Sequence, residues 1–184
     1  MSESLSGLSR VVSHALRHEP WLYELELDDV GWVGVDELIA AIRGSGPEWS
    51  AVDRGLLDRM VAESSKQRHE ISGDRIRALY GHSLPGLLRR EAGIPPDRLF
   101  HGTTRSAASL IEESGLLPMG RQFVHLSVDS DTAVQVGRRK GGVLVVLSVR
   151  ARDAHDAGVS FFVGNSSVWL ALAVPAEFVT FTDC

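Results

Sequence analysis

The sequence predicts an α+β protein of two lobes, the first over residues 1–93 and the second over residues 97–184. Three observations predict this class. Helical patterns and then a basic hairpin fill the first part, short strands alternate with helices in the second, and Gly93-Ile94-Pro95-Pro96 between them has the composition of a linker. Apolar residues make up 43% of the chain and charged residues 23%, close to the globular average, so a packed core is expected.

The first lobe begins with an amphipathic helix. Apolar residues recur every three or four positions from Leu5 to His18, and Pro20 ends the pattern. Further helices are expected over residues 35–42, 51–62 and 84–92. Ahead of the last of these, residues 68–79 predict a β-hairpin with a turn at Gly73-Asp74. Helices followed by a basic hairpin are the pattern of a winged-helix lobe.

The second lobe is predicted to be a compact, mostly antiparallel unit of about five strands. Strands are expected over residues 99–102, 123–126, 143–149, 168–174 and 178–181, and helices over residues 106–114 and 129–136. The first helix should bury Leu110 and Ile111 and end at Gly115. The first two strands each carry a histidine and end beside a hydroxyl residue, so we expect these polar groups side by side in one cleft.

Composition narrows the function. The net charge of −5 argues against a protein that coats nucleic acid, and it favours a pocket in which a few arginines bind one or two phosphates. The single cysteine, Cys184, excludes an internal disulfide and a cysteine-based zinc cluster. His14 and His18 have the spacing of a zinc pair but lack a third ligand nearby, so no metal is expected. The apolar runs are too short to cross a bilayer and the first residues do not form a signal peptide, so we expect a cytoplasmic protein without membrane contact.

The reactive groups are arginines, histidines and hydroxyls. No dinucleotide-binding glycine motif, Walker loop, zinc-protease motif or serine-nucleophile elbow is present. Guanidinium groups and hydrogen-bond donors stabilise phosphoryl oxygens, so the predicted reaction handles phosphates. The run Gly81-His82-Ser83 offers several donors to an anion, although it also fits a plain loop. Arg17 and His18 also fit ordinary capping of a helix C-terminus.

Several short motifs occur along nearly the whole chain in a specific order and spacing. These are Leu16-Arg17-His18, Gly31-Trp32, Lys66-Gln67-Arg68, Ile76-Arg77-Ala78, Gly81-His82-Ser83, His101-Gly102-Thr103, Arg121 with Val124-His125-Leu126-Ser127, Val136-Gly137 and Val168-Trp169-Leu170. In this set of motifs the chain resembles the RNA 2′-phosphotransferase family, the NAD-dependent enzymes that remove the 2′-phosphate left at a splice junction by some RNA ligases.

The resemblance implies a winged-helix RNA lobe, a second lobe with the ADP-ribosyltransferase fold, and three groups of site residues. It implies catalytic residues Arg17, His18, Arg68 and Arg121; NAD-binding residues His101, Gly102, Thr103, His125, Ser127, Arg139 and Asn165; and RNA- or phosphate-binding residues Arg77, Gly81, His82 and Ser83. Arg139 would meet the NAD pyrophosphate or the RNA backbone. Two of these residues also fit a purely structural role: His125 as a hydrogen-bonded histidine at a strand edge, and Arg77 as a solvent-exposed residue of the hairpin. The related transferases carry a glutamate on a later strand, and here none stands near Trp169.

The implied reaction has two steps. The RNA 2′-phosphate displaces nicotinamide from NAD to give an ADP-ribosylated RNA 2′-phosphate, and the adjacent ribose hydroxyl then attacks that phosphorus. The products are RNA with a 2′-hydroxyl, nicotinamide and ADP-ribose 1″,2″-cyclic phosphate. The implied roles are RNA repair and tRNA splicing, the implied partner is RNA with an internal 2′-phosphate, and we expect a monomer. One alternative is an ADP-ribosyltransferase that caps phosphorylated nucleic-acid ends, and a second is a non-catalytic RNA- or NAD-binding module.

Overall fold

The computed structural model describes residues 5–138 and 142–181. The predictions for Arg139 and Cys184 lie outside these ranges. The chain divides into two compact units, Met1–Arg89 and Arg90–Cys184. Each unit has its own sheet and its own hydrophobic core.

In the described part of the first unit, three α-helices confirm the apolar periodicity of the sequence. They are α1 (Leu5–Arg17), α2 (Val35–Ser45) and α3 (Arg54–Ala62). Helix α1 buries Leu8, Val12 and Leu16, one residue per turn, against the other two helices. Helix α3 begins later than predicted because the Asp53 carboxylate accepts a hydrogen bond from the Leu56 amide (2.7 Å) and caps it there.

A three-stranded antiparallel sheet completes the first unit. Its strands are β1 (Trp32–Gly34), β2 (His69–Ser72) and β3 (Arg75–Ala78), in the order β1-β3-β2. The predicted hairpin is confirmed, with Ser72 paired to Arg75 across the turn. Gly73 lies in that turn at φ +60°, in the left-handed region that a side chain disfavours. Strand β3 buries Ile76 and Ala78 and turns its two arginines to the other face.

The predicted helix over residues 84–92 is wrong. Pro85 has no amide proton and disfavours a helical conformation in Leu84, and Gly86 has a φ of +82°. The segment is therefore irregular up to a short strand, β4 (Ala92–Gly93), which pairs with β8 (Phe161–Asn165). Residues 92–93, predicted to close the first lobe, thus belong to the sheet of the second unit.

The second unit contains a seven-stranded sheet in which every neighbouring pair is antiparallel. The strand order is β10-β7-β5-β6-β9-β8-β4. The remaining strands are β5 (Arg98–Thr104), β6 (Val124–Ser127), β7 (Leu144–Arg150), β9 (Val168–Ala171) and β10 (Val179–Phe181). The predicted strands are therefore present, and β4 and β8 are additions.

Among the described residues of the second unit, the α-helices are α4 (Arg105–Ser114), α5 (Ser130–Gly137) and α6 (Ala151–Asp156). Helix α4 buries Ala108 and partly buries Ile111, whereas Leu110 is 68% exposed. The prediction that Leu110 is buried is wrong because residue 110 lies about 200° around the helix from residue 108. Gly115 follows α4 at φ +73°, as predicted.

Helix α5 packs so closely on β5 that its backbone nearly touches the strand. A Cβ atom on Gly102 would lie 1.9 Å from the carbonyl oxygen of Ala133, and one on Gly137 would lie 3.1 Å from the Gly102 backbone. Glycine at both positions allows this approach. Within the described ranges, no helix has both the length and the apolar character needed to cross a membrane.

Candidate active site

The first unit contains a basic cavity of about 640 Å³ along the solvent-facing side of α1. Residues between Met60 and Arg68 form its other wall. Its polar lining consists of three arginines, two histidines, five serines and one carboxylate: Arg10, Arg17, Arg68, His14, His18, Ser6, Ser9, Ser13, Ser64, Ser65 and Glu63. Because cations and hydroxyls outnumber the carboxylate, the cavity suits an anionic ligand that also accepts hydrogen bonds.

Two of the predicted catalytic arginines line this cavity and contact each other. Arg17 donates from Nη2 to the backbone carbonyl of Arg68 (3.1 Å), and its guanidinium lies 5.3 Å from the centre of the Tyr80 ring. Arg68 reaches the Ser64 hydroxyl through Nη1 at 3.5 Å. The carbonyl and the ring fix the direction of the Arg17 fork before any ligand arrives.

The loop Gly81-His82-Ser83 holds the C-terminal end of α1. The Ser83 amide donates to the Arg17 carbonyl (2.9 Å), and its hydroxyl lies 2.7 Å from Nδ1 of His18. Gly81 has a φ of +89°, and a Cβ there would lie 3.4 Å from Nη1 of Arg17. The loop therefore caps the helix and positions two catalytic candidates, and its Ser83 amide is already engaged.

Of the residues predicted to touch RNA or phosphate, His82 is buried and Arg77 is half-buried. His82 is 2% exposed, and its Nε2 lies 3.7 Å from where a Cβ of Gly31 would stand. Arg77 pairs with Glu70 at 2.7 Å and lies 4.5 Å above the ring of Trp32, on the face of β3 opposite its buried residues. Neither residue lines the basic cavity.

Sequence reasoning missed two residues of this region, His69 and Arg10. His69 is buried, and its Nε2 lies 3.1 Å from the hydroxyl of Ser13. Burial, together with the nearby charges of Arg17 and Arg68, lowers the pKa of His69 from 6.5 to about 3, so the ring is neutral at neutral pH. Strand alternation places His69 inward, and Arg10 lies seven residues before Arg17 on one helix face, so both signals were available in the sequence.

The second unit brings together the two predicted strand histidines. Strands β5 and β6 are neighbours, and Nδ1 of His101 lies 2.9 Å from the backbone carbonyl of His125. A carbonyl only accepts, so Nδ1 carries the proton and Nε2 of a neutral His101 ring is an acceptor. Thr103 and Ser127, one on each strand, are buried. The expectation that the two strands are neighbours is confirmed. Because they run antiparallel and Ser127 pairs with Phe100, Thr103 lies three residues farther along β5, so the two hydroxyl residues are not directly opposite each other.

The remaining predicted residues of the second unit lie at strand ends. Arg121 is exposed in the loop before β6, where its amide donates to the carbonyl of Pro118 (3.1 Å). Asn165 ends β8 and accepts from the Ser167 amide through Oδ1 (2.8 Å). Among the described residues, no group of three or more histidine, cysteine or acidic side chains is arranged to hold a metal ion.

Fold and site together define a mixed α+β protein with a basic cavity in its first unit. A family model described as "RNA 2′-phosphotransferase, Tpt1 / KptA family" matches residues 3–173. The chain is similar to proteins named "Probable RNA 2′-phosphotransferase" from three bacteria. It is 46% identical to the protein of Acetivibrio thermocellus (96% of each chain covered), 48% to that of Bacillus thuringiensis (95% of this chain, 94% of the relative) and 45% to that of Burkholderia lata (96% and 90%). This chain belongs to the RNA 2′-phosphotransferase family.

Proposed function

We propose that this chain is an NAD-dependent RNA 2′-phosphotransferase. It transfers the internal 2′-phosphate of an RNA to NAD, leaves a 2′-hydroxyl, and releases nicotinamide and ADP-ribose 1″,2″-cyclic phosphate. Family membership supports the transferase class. The observation that carries the proposal is the basic cavity, in which Arg17, His18 and Arg68 share one lining.

The arginines bind and orient the RNA 2′-phosphate. A guanidinium presents parallel N–H donors that match two phosphate oxygens, and Arg17 is already aligned by the Arg68 carbonyl. A phosphate dianion is an anionic nucleophile without further deprotonation, so binding and orientation are the main tasks of the protein. Arg121, in the loop before β6 of the second unit, is assigned a phosphate-binding role of the same kind.

His18 supplies a hydrogen bond to the same phosphate. When the Ser83 hydroxyl donates to Nδ1, the neutral ring carries its proton on Nε2, and that proton is donated to a phosphate oxygen. Ser83 is therefore a positioning residue, because its hydroxyl holds the His18 ring in this orientation. The neutral His69 next to the clamp keeps one further positive charge away from the two arginines.

NAD supplies an electrophilic anomeric carbon and nicotinamide as the leaving group. His101, His125 and Asn165 of the second unit would hold it, because imidazole nitrogens and a carboxamide match ribose hydroxyls and the nicotinamide amide. The buried hydroxyls of Thr103 and Ser127 support the same strands. Gly102 has a different explanation in the packing of α5, so we assign it an indirect part in binding NAD.

One mixing experiment tests the function. The protein is incubated with NAD and a short RNA that bears one internal 2′-phosphate, and the RNA mass and the released nicotinamide are measured together. We expect loss of the phosphate only when NAD is present, with one nicotinamide released per phosphate removed. An RNA that keeps the whole ADP-ribose would instead identify a one-step transferase that caps phosphates. No change in the RNA would leave a binding module and refute the proposal.

A further inference from the structure

The basic cavity is larger than one phosphate group requires. Its volume of about 640 Å³ lies in the range of pockets that hold a whole small-molecule ligand, about 300–1,000 Å³. Its lining includes residues of α1 from Leu5 to Arg17, and His18 just after it. At 1.5 Å per residue, this stretch of α1 is about 20 Å long. The clamp residues Arg17 and His18 occupy only the C-terminal end of that stretch.

A second cation, Arg10, lies farther toward the N-terminus of the same stretch. Arg10 precedes Arg17 by seven residues, so the two share one face of α1 and lie about 10 Å apart along its axis. Arg10 is exposed, and within residues 5–138 and 142–181 it forms no ion pair. Three serines close to Arg10 in the helix sequence, Ser6, Ser9 and Ser13, also line the cavity.

We propose that Ser6, Ser9, Arg10 and Ser13 form a subsite, the α1 subsite, for the phosphodiester next to the 2′-phosphorylated nucleotide. The inference rests on the proposed function, since it names where the RNA strand continues. Arg17 is held at its end of the cavity by the Arg68 carbonyl, and a helical side chain leans toward the N-terminus, so Arg10 points away from the clamp. The two arginines therefore contact different phosphates of one strand, and the serine hydroxyls bond to the ribose and phosphate oxygens between them.

The α1 subsite makes Arg10 a specificity-determining residue. The enzyme prefers a 2′-phosphate inside a chain over the same phosphate on a mononucleotide, because only the chain supplies the second anion. Loss of the contact between Arg10 and its phosphate should also reduce the slope of log Kd against log salt concentration by about 0.7, the value for one phosphate contact on a single strand.

The test compares Arg10→Gln with Arg59→Gln, which removes an exposed arginine of α3 that does not line the cavity. Each protein is assayed on 2′-phosphorylated trinucleotides in which the linkage on one side of the modified nucleotide, 5′ or 3′, is a neutral methylphosphonate. For the unmodified RNA we expect Arg10→Gln to raise KM about tenfold, from the loss of one charge-assisted contact. Arg59→Gln keeps the wild-type value, and melting temperatures of both variants establish that they are folded.

The decisive result is the combination of variant and substrate. In the wild type, the methylphosphonate at one of the two positions raises KM about tenfold; in Arg10→Gln the same substitution adds no further loss. Arg10→Lys restores part of the affinity for the charged linkage, and the salt slope falls only in Arg10→Gln. The α1 subsite would be refuted if wild type and Arg10→Gln had equal KM values. It would also be refuted if the methylphosphonate raised KM by the same factor in Arg10→Gln as in the wild type. Absence of any NAD-dependent dephosphorylation by the wild type would instead refute the proposed function, so the two failures are distinguishable.

Discussion

Replacing Gly102 by alanine separates a packing role from an NAD-binding role. The new Cβ would lie 1.9 Å from the Ala133 carbonyl oxygen and 2.9 Å from the Gly137 amide nitrogen, both on the backbone of α5. Backbone atoms cannot rotate away like a flexible side chain, so α5 must shift from β5. Overpacking of this kind costs about 1–3 kcal/mol, and we expect the upper end here. For a chain of this size about 3 kcal/mol lowers Tm by about 10 °C.

The assay is thermal unfolding without NAD, followed by the KM for NAD below the transition. Gly120→Ala is the matched control, because a Cβ at Gly120 meets nothing within 4 Å. We expect that control to keep or slightly raise Tm, since alanine restricts the unfolded chain. A Gly102→Ala protein with wild-type Tm and a raised KM for NAD would refute the packing explanation and assign the residue directly to the cofactor site.

Three further predictions concern the basic cavity. Arg68→Lys keeps the charge but loses the two parallel N–H donors of the guanidinium, so kcat/KM should fall at least about 100-fold while Tm stays unchanged. Arg59→Lys is the control. Near-wild-type turnover of Arg68→Lys would show that Arg68 does not bind the phosphate. Glu63→Gln removes the carboxylate that faces the arginines, and KM for the RNA should fall about twofold to threefold, most clearly at low salt; an increase would contradict an anion-binding cavity. His69→Gln should flatten the dependence of stability on pH. The unfolded chain gains a proton as pH falls through about 6.5 while buried His69, with a pKa of about 3, does not, so the wild type should lose about 2 kcal/mol from this group between pH 7 and pH 5. Identical slopes in denaturant titrations of the two proteins would refute this assignment.

Local patterns were sufficient to predict much of the fold. The apolar spacing of α1 and the turn at Gly73 act over a few residues, and each is strong enough to decide its own element. Strand β8 was missed because Phe161–Asn165 contains a glycine and bulges between Val163 and Asn165, which interrupts alternation. The helix predicted over residues 84–92 was wrong because the prediction left out the backbone preferences of Pro85 and Gly86, which decide that segment.

The site could be predicted as a set of residue types but not as a geometry. Arg17 and Arg68 were identified, yet their contact joins residues 51 positions apart and involves a backbone carbonyl that no sequence pattern marks. His82 and Ser83 look equivalent in the sequence, but one is buried while the other holds His18. Burial and hydrogen bonding between distant segments decide such cases, and neither is local.

Helix α1 serves two purposes with the same thirteen residues, and this limits how the gene can change. One side supplies Leu8, Val12 and Leu16 to the core, and the other supplies Arg10 and Arg17 to the cavity. Inserting or deleting one residue in its middle would rotate everything beyond that point by about 100°. Leu16 would then leave the core at the moment Arg17 left the cavity. Single substitutions can therefore change this helix without moving its other residues. Inserting or deleting one residue would disturb the core contacts and the cavity lining at the same time.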